Sequence, residues 1–412
     1  MSSGSVPASS RPLHLRILHI NDVYKLDNFP SLKTLIDEQS CPSENDDSPD
    51  GLCVILGGDF LGPSLLSSID AGASMVDCMN AVGITHVCFG NHECDVPADA
   101  LARRIHQSDF VWMNSNMQDA QNKIPNFGET PEFDILTVSN GHMTKQVALL
   151  GLLTEDPALY RPGSFNGAKI EPIIYATERL LPILQPLSDL IIPVTHQSMG
   201  NDRHFANHFT GNQFPIILGG HDHEPYNEKV GGSRIFKAGY DAIHTGVVDI
   251  LWPEPNEPPN ISVKMVLTKQ SSPDPALVRR VQGHKQILEQ LEKARLFRIQ
   301  NWINPQKLLE CGIVDQLKLV GKENDDHNHG SEVSFSTANN RLGPSTGTSA
   351  IATMIQKGMR CDCCLINAGC VRASREYSAE HVFFSWKDLK EELPFDTYLT
   401  VTAMPGTFAG FV

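Results

Sequence analysis

Five times in this chain a short apolar run breaks off into a turn rich in potential metal ligands, and that repetition constrains the fold more than any other feature. Residues 14–20 run into Asn21-Asp22-Val23-Tyr24, residues 52–56 into Gly57-Gly58-Asp59, and residues 86–88 into Phe89-Gly90-Asn91-His92-Glu93-Cys94-Asp95. Residues 190–195 run into His196, and residues 216–218 into Gly219-Gly220-His221-Asp222-His223. Runs of this length with helical stretches between them (72–82, 97–105 and 173–187) predict an α/β core. The polar turns then lie beyond the carboxyl ends of the strands, where open α/β sheets hold their ligands. A single aspartate after a strand is commonly a helix cap, and a single histidine is commonly structural. Five such junctions in one chain argue for one shared site.

The chemistry of these turns narrows the site further. Carboxylates, imidazoles and one amide form a set of hard and borderline ligands suited to Mn²⁺, Zn²⁺, Fe or Mg²⁺. Two cations need a shared ligand, and Asp59 is the carboxylate placed to bridge. Such a pair would activate a water and neutralise the oxygens of a phosphoryl group. His92 can carry a proton, and Asp95, three residues on, can fix its tautomer.

Composition excludes other classes. A chain of 412 residues with 41% apolar and 20% charged residues is neither disordered nor a membrane bundle, and it is long enough for two cores. A net charge of −15 argues against nucleic acid as the main partner. Residues 1–12 are Ser- and Pro-rich, without an apolar core of signal-peptide length, and no run approaches a membrane span. The expectation is a disordered tail on a cytoplasmic protein with no membrane partner, its ten cysteines reduced. Cys361, Cys363, Cys364 and Cys370 lack a spaced partner pair and are expected to be buried strand thiols. The acidic stretch 41–51 and the stretch 321–336, with His327 and His329, are expected to be loops. Residues 275–299 read as a charged helix with Val278, Val281, Ile287, Leu288 and Leu291 on one face. Residues 365–367 read as the end of a strand.

In order, Asp22-Val23-Tyr24, Gly58-Asp59, Gly90-Asn91-His92-Glu93, His196 and Gly220-His221-Asp222-His223 resemble the signature blocks of the calcineurin-like metallophosphoesterases. The stretches 19–22 and 90–95 resemble the 5′-nucleotidase branch in particular. Residues 365–372 and 386–406 are similar to that branch's C-terminal domain. The resemblance implies a four-layer β-sandwich flanked by helices over residues 13–270, an interdomain helix and linker over 271–303, and a partial α/β substrate-binding domain over 304–412. It implies one metal held by Asp22, Tyr24, Asp59 and His223, and a second by Asp59, Asn91, His196 and His221. His92 and Asp95 would be the catalytic dyad in hydrolysis of nucleoside 5′-monophosphates by an activated water. Asn367 and Arg372 would contact the substrate, Phe395 would stack on a base, and Arg341 would be a further phosphate contact. A sugar phosphate or other phosphomonoester is the alternative substrate, and a binding module that keeps the fold is the alternative to an enzyme.

Two departures from the family pattern stand out. Tyr24 replaces the usual histidine, and a phenol with a pKa near 10 is a poor ligand unless it ionises. It either ligates as phenolate, favouring Fe³⁺, or stays neutral and weakens that position, or points away. The second domain ends earlier than in relatives, which predicts a base clamp lacking one aromatic face.

Overall fold

The computed structural model describes residues 11–40, 48–211, 213–301, 334–378 and 380–394. The chain divides into two compact units, Met1–His284 and Lys285–Val412. The division falls inside the helix Pro275–Lys293.

The first unit holds two six-stranded sheets. Strands β1 (Leu13–Ile20), β2 (Gly51–Leu56), β3 (His86–Cys88) and β4 (Val111–Met113) pair in parallel in that order. β11 (His244–Trp252) and then β12 (Asn260–Leu267) extend the other edge antiparallel. In the second sheet β6 (Thr144–Leu153), β7 (Leu190–His196), β8 (Ile216–Gly220) and β10 (Ser233–Ala238) run parallel. The antiparallel edges there are β5 (Phe133–Ser139) and β9 (Pro225–Val230).

Alternation along each strand sorts its side chains between layers. Leu15 and Ile17 of β1, Cys53 and Ile55 of β2, Leu149 of β6, Val194 of β7 and Leu218 of β8 meet in a core between the sheets. Their neighbours Leu18, Ile20, Val54 and Leu56 face outward, joining the helices Phe29–Ser40, Ala73–Val82 and Ala98–Gln107 in a second core. Ala148, Leu150 and Ile217 pack similarly against the helices Ile173–Leu184 and Met199–His208. Helix, sheet, sheet and helix make the four layers. A strand buried on both faces reads as an unbroken apolar run, which is why β1, β2, β7 and β8 were legible.

Register aligns the ends that matter. Ile20 sits opposite Leu56, Leu56 opposite Val87, and His196 opposite Gly220. The turns after β1, β2 and β3 therefore leave one sheet side by side, as those after β7 and β8 leave the other.

Several local expectations need correction. The stretch 275–299 is helical only to Lys293, and Arg295–Arg298 form a strand, β13, in the second unit. The helix buries Leu277 and Val281, whereas Ile287 is exposed. Residues 365–367 form no strand; an irregular segment leads into a single 3-10 turn, Ala368–Cys370. Cys361, Cys364 and Cys370 are half-buried and Cys363 is exposed, none of them in a strand. The end of the expected loop 321–336 forms a short strand, Phe335–Ser336. Residues 1–10, 41–47 and 321–333, with His327 and His329, lie outside the described residues. No helix among the described residues is long and apolar enough to cross a membrane.

In the second unit, β13 pairs with Phe383–Ser385, and Phe335–Ser336 pairs with Glu376–Tyr377. A small core of Ile299, Phe335, Ala350, Tyr377 and Phe384 holds these pieces together.

Candidate active site

The site is assembled by turns that bend the backbone into the left-handed region. Asp22, Asp59 and His221 have φ of 54°, 58° and 77°, a conformation that non-glycine residues hold only when their surroundings fix it. The Asn21 amide supplies part of that fixing. Its Nδ2 donates to Asp22 Oδ2 (2.8 Å) and to the Gly239 carbonyl (2.5 Å), while its Oδ1 accepts from the Ala238 N–H (2.7 Å). Two glycines are required by close approach. A Cβ on Gly90 would overlap the Asp59 carboxylate, and one on Gly220 would overlap the Gly57 carbonyl.

All nine residues expected in the first domain's site converge. The Tyr24 hydroxyl lies 3.3 Å from Asp22 Oδ1, 3.4 Å from Asp59 Oδ2 and 3.0 Å from His223 Nε2, and His223 Nε2 is 3.6 Å from Asp22 Oδ1. Tyr24 therefore points in, so the outward orientation is overturned. Burial, reinforced by the charges of Asp59 and Asp22, pushes its pKa well above 10, so protein groups alone keep the phenol neutral. On the other side His196 Nε2 lies 3.1 Å from Asp59 Oδ2, and His221 Nδ1 lies 3.1 Å from Asn91 Oδ1. Ligand atoms of Asp59, His196 and His221 all fall within 4.8 Å of one another. The first group meets chiefly through Tyr24, so the second is the better-formed cradle.

These donors fit a divalent cation. His196 Nδ1 is 2.7 Å from the Gly57 carbonyl, which can only accept, so Nδ1 carries the proton and Nε2 faces the pocket. That Nε2 is fully buried and makes no hydrogen bond of good geometry, despite its 3.1 Å approach to Asp59. Burial disfavours its protonation, but the Asp59 carboxylate outweighs this and pushes the imidazole up to about 10. Burial likewise opposes the Asp59 charge, yet His196 and His92 hold that carboxyl below the usual range. In the absence of a cation a proton therefore occupies Nε2 beside Asp59, and a divalent cation held by these two groups would take the place of that proton. Burial, then His196, lowers His221, which stays a neutral donor.

His92 and Asp95 form a pair: Nδ1 is 2.6 Å from Asp95 Oδ2, which leaves Nε2 on the Asp59 side at 4.0 Å. Burial opposes a charge on His92, but Asp59 and Asp95 raise its pKa above the ordinary value. Arg161 reaches the other Asp95 oxygen at 3.3 Å.

Three supporting residues were given no role by the sequence. The Glu93 carboxylate, fully buried, accepts from the N–H groups of Asp59 (3.0 Å), Phe60 (2.8 Å), Leu61 (3.1 Å) and Gly90 (2.5 Å), binding the β2 turn to the β3 turn. Burial and the nearby Asp59 push it up to about 7, against the Phe60 and Leu61 N–H groups and His196. Lys237, also fully buried, donates to the carbonyls of Gln197 (2.7 Å) and Gly220 (2.8 Å) and to Asp222 (2.6 Å). Asp241 accepts from the Tyr24 and Lys25 N–H groups. Glu93 was visible as a carboxylate in the densest turn, but only the fold reveals what it holds.

In the second unit Asn367 caps the 3-10 turn, its Oδ1 accepting from the Gly369 N–H at 2.7 Å. Asn340 donates to the carbonyls of Ala368 and Val371 (3.1 Å each), which ties the turn carrying Arg341 to the segment carrying Asn367 and Arg372. All three of those side chains are exposed. Phe395 lies outside the described residues.

Comparison with known proteins bears on the fold and the family. The calcineurin-like phosphoesterase family profile matches residues 15–225. The 5′-nucleotidases of Vibrio vulnificus and Vibrio cholerae are 25% identical over 239 and 232 residues, 53% and 51% of this chain but 42% and 40% of theirs. The chain thus spans about two fifths of the length of these curated relatives. A putative 5′-nucleotidase from Staphylococcus aureus superposes with a TM-score of 0.64 at 14% identity, covering 93% of this chain and 72% of that one. A 5′-nucleotidase precursor from Thermus thermophilus gives 0.58 at 15% identity, over 69% and 61%. At such identity the structures speak for the fold, and the profile, reaching from β1 to the start of β9, speaks for the family. The chain belongs to the calcineurin-like phosphoesterases.

Proposed function

We propose that this protein is a metal-dependent phosphomonoesterase acting on nucleoside 5′-monophosphates. The observation that carries the reading is the meeting of carboxylate, imidazole, amide and phenol groups around Asp59, through contacts of 3.0–3.6 Å. Asp22, Tyr24, Asp59 and His223 would hold one divalent cation, and Asp59, Asn91, His196 and His221 the other, with Mn, Zn, Fe or Mg as candidates. When bound, such cations supply neutralisation of phosphoryl oxygens and acidification of a water. A Tyr24 phenol that stays neutral beside the cation makes its position the weaker one, whereas ligation as phenolate would favour Fe³⁺ there.

The chain's own residues do the rest. Asp95 fixes the His92 tautomer and keeps Nε2 directed toward the phosphoryl position, where it stabilises transition-state charge or gives its proton to the leaving oxygen. Glu93 and Asn21 hold the turns so that little reorganisation accompanies the reaction. Nucleotide preference is supported by the names of the curated relatives. Asn367, Arg372 and Arg341 offer an amide and two guanidinium groups in neighbouring segments of the second unit, chemistry suited to phosphate and hydroxyl groups.

The test is release of phosphate from AMP, UMP and a sugar phosphate with Mn²⁺, Zn²⁺, Fe or Mg²⁺ added, beside His92→Ala and Asp59→Asn. Turnover of AMP and UMP that both variants abolish is expected. Preference for the sugar phosphate would replace the substrate assignment. Metal-loaded, folded protein without turnover would make the chain a binding module.

A further inference from the structure

A second cleft lies in the first unit, among the helices Ala73–Val82 and Ala98–Gln107 and His284 of Pro275–Lys293. Its volume is about 530 Å³, within the range of small-molecule sites. Its walls carry two acids and one arginine, and the acids are already occupied. Asp77 takes Arg280 on one oxygen and His284 on the other, each at 2.6 Å. Asp70 accepts from the Gly72 N–H (2.9 Å), the Ser74 N–H (2.8 Å) and the Ser74 hydroxyl. Arg104 has no such complement. It is 7% exposed, its Nε is buried without a hydrogen bond, and no described residue bonds its guanidinium. Its Nε is enclosed without an acceptor, which is costly, while the charge of Asp70 stands near the guanidinium. Here it lines a cavity instead of being filled in by neighbours.

Ligand atoms of Asp77, Cys78 and His284 also come within 4.8 Å, which raises the case for a cation. The cation loses on chemistry. Both Asp77 oxygens are engaged, burial and Asp77 push the Cys78 thiol up to about 12, and the Arg280 and Arg104 guanidinium groups stand nearby. We propose that this cleft is a binding site for a small carboxylate, held bidentately by Arg104. The neighbouring Asp70 and Asp77 disfavour multiply charged anions and favour a monocarboxylate with hydrogen-bond donors, that is, a hydroxy or amino acid. Gln107, exposed at the rim, and Asn80, whose Nδ2 donates to the Gln107 carbonyl at 2.7 Å, border the entrance.

The probes are glycolate and L-serine, titrated calorimetrically and by melting temperature into the full chain and into R104M and Q107E. At least one probe binds and stabilises the wild type. R104M weakens that binding about tenfold or more, as loss of a charge-assisted fork requires, and Q107E weakens it through like charge at the mouth. Without a probe, R104M melts no lower than wild type, because an apolar chain of similar length replaces a buried donor that has no acceptor. Phosphatase turnover of R104M is unchanged, which separates this site from the metal centre. Equal binding by R104M, no binding of either probe to wild type, or a marked drop in the melting temperature of free R104M would overturn the assignment, the last by making the guanidinium structural.

Discussion

Glu93 gives the sharpest test of how the site is built. In Glu93→Gln the volume is kept, but one of the two carboxylate oxygens becomes an amide NH₂. Oε1 accepts from Phe60 and Leu61, and Oε2 from Asp59 and Gly90. Whichever way the amide turns, two buried N–H groups lose their acceptor and face a donor. At about 1–3 kcal/mol for each buried group left unpaired, the cost is about 2–6 kcal/mol. The loss falls on the turns that carry Asp59 and Asn91, so metal affinity falls with stability. Denaturant unfolding of the first unit, followed through its buried Trp112 and Trp252, measures the difference by linear extrapolation. A cost below about 1 kcal/mol would show that the four hydrogen bonds are not what fixes these turns.

Other consequences are equally open to measurement. Lys237→Met removes the cation that joins the β7 and β8 turns, and leaves Asp202, 2.8 Å away and fully buried, with the Thr195 and Gln197 donors but without its cationic partner; calorimetry should register a loss of about 3–5 kcal/mol. Tyr24→His, which exchanges a neutral phenol for an imidazole, should tighten the weaker metal position, and an unchanged metal isotherm would place Tyr24 outside the ligand shell. His14 and Arg16, each 2.7 Å from Asp249, hold its half-buried carboxyl below the usual range despite the cost of burial. A depressed folded pKa gives stability that is present above the unfolded value, about 4, and lost as pH falls through the folded one. Asp249→Asn should therefore flatten the acid limb of the stability curve below about pH 4.

How much of this was legible in the sequence depends on range. The strands that deliver the site were readable because burial on both faces makes them apolar throughout and their ligands follow at once. β9 was not, because residues 225–230, Pro-Tyr-Asn-Glu-Lys-Val, form an edge with every second side chain exposed. β4 is three residues long, too short for any period to register. The ligands were found because their chemistry is unusual in clusters. Glu93, Asn21, Lys237 and Asp241 were not assigned roles, since each acts through backbone groups far away in sequence, as when Asp241 accepts from Tyr24 across 217 positions. The four cysteines at 361–370 show the opposite error: without a spaced partner pair they were expected as buried strand thiols, whereas three are half-buried, one is exposed and none joins the small second core.

The central claim is that Asp59 is shared by two cations. Electron paramagnetic resonance of the protein titrated with Mn²⁺ addresses it directly, since two ions bridged by one carboxylate couple magnetically. Wild type should develop the multiline signal of a coupled pair, and Asp59→Asn should lose it. Isolated-ion spectra throughout the wild-type titration, or a coupled signal that survives in Asp59→Asn, would contradict the account.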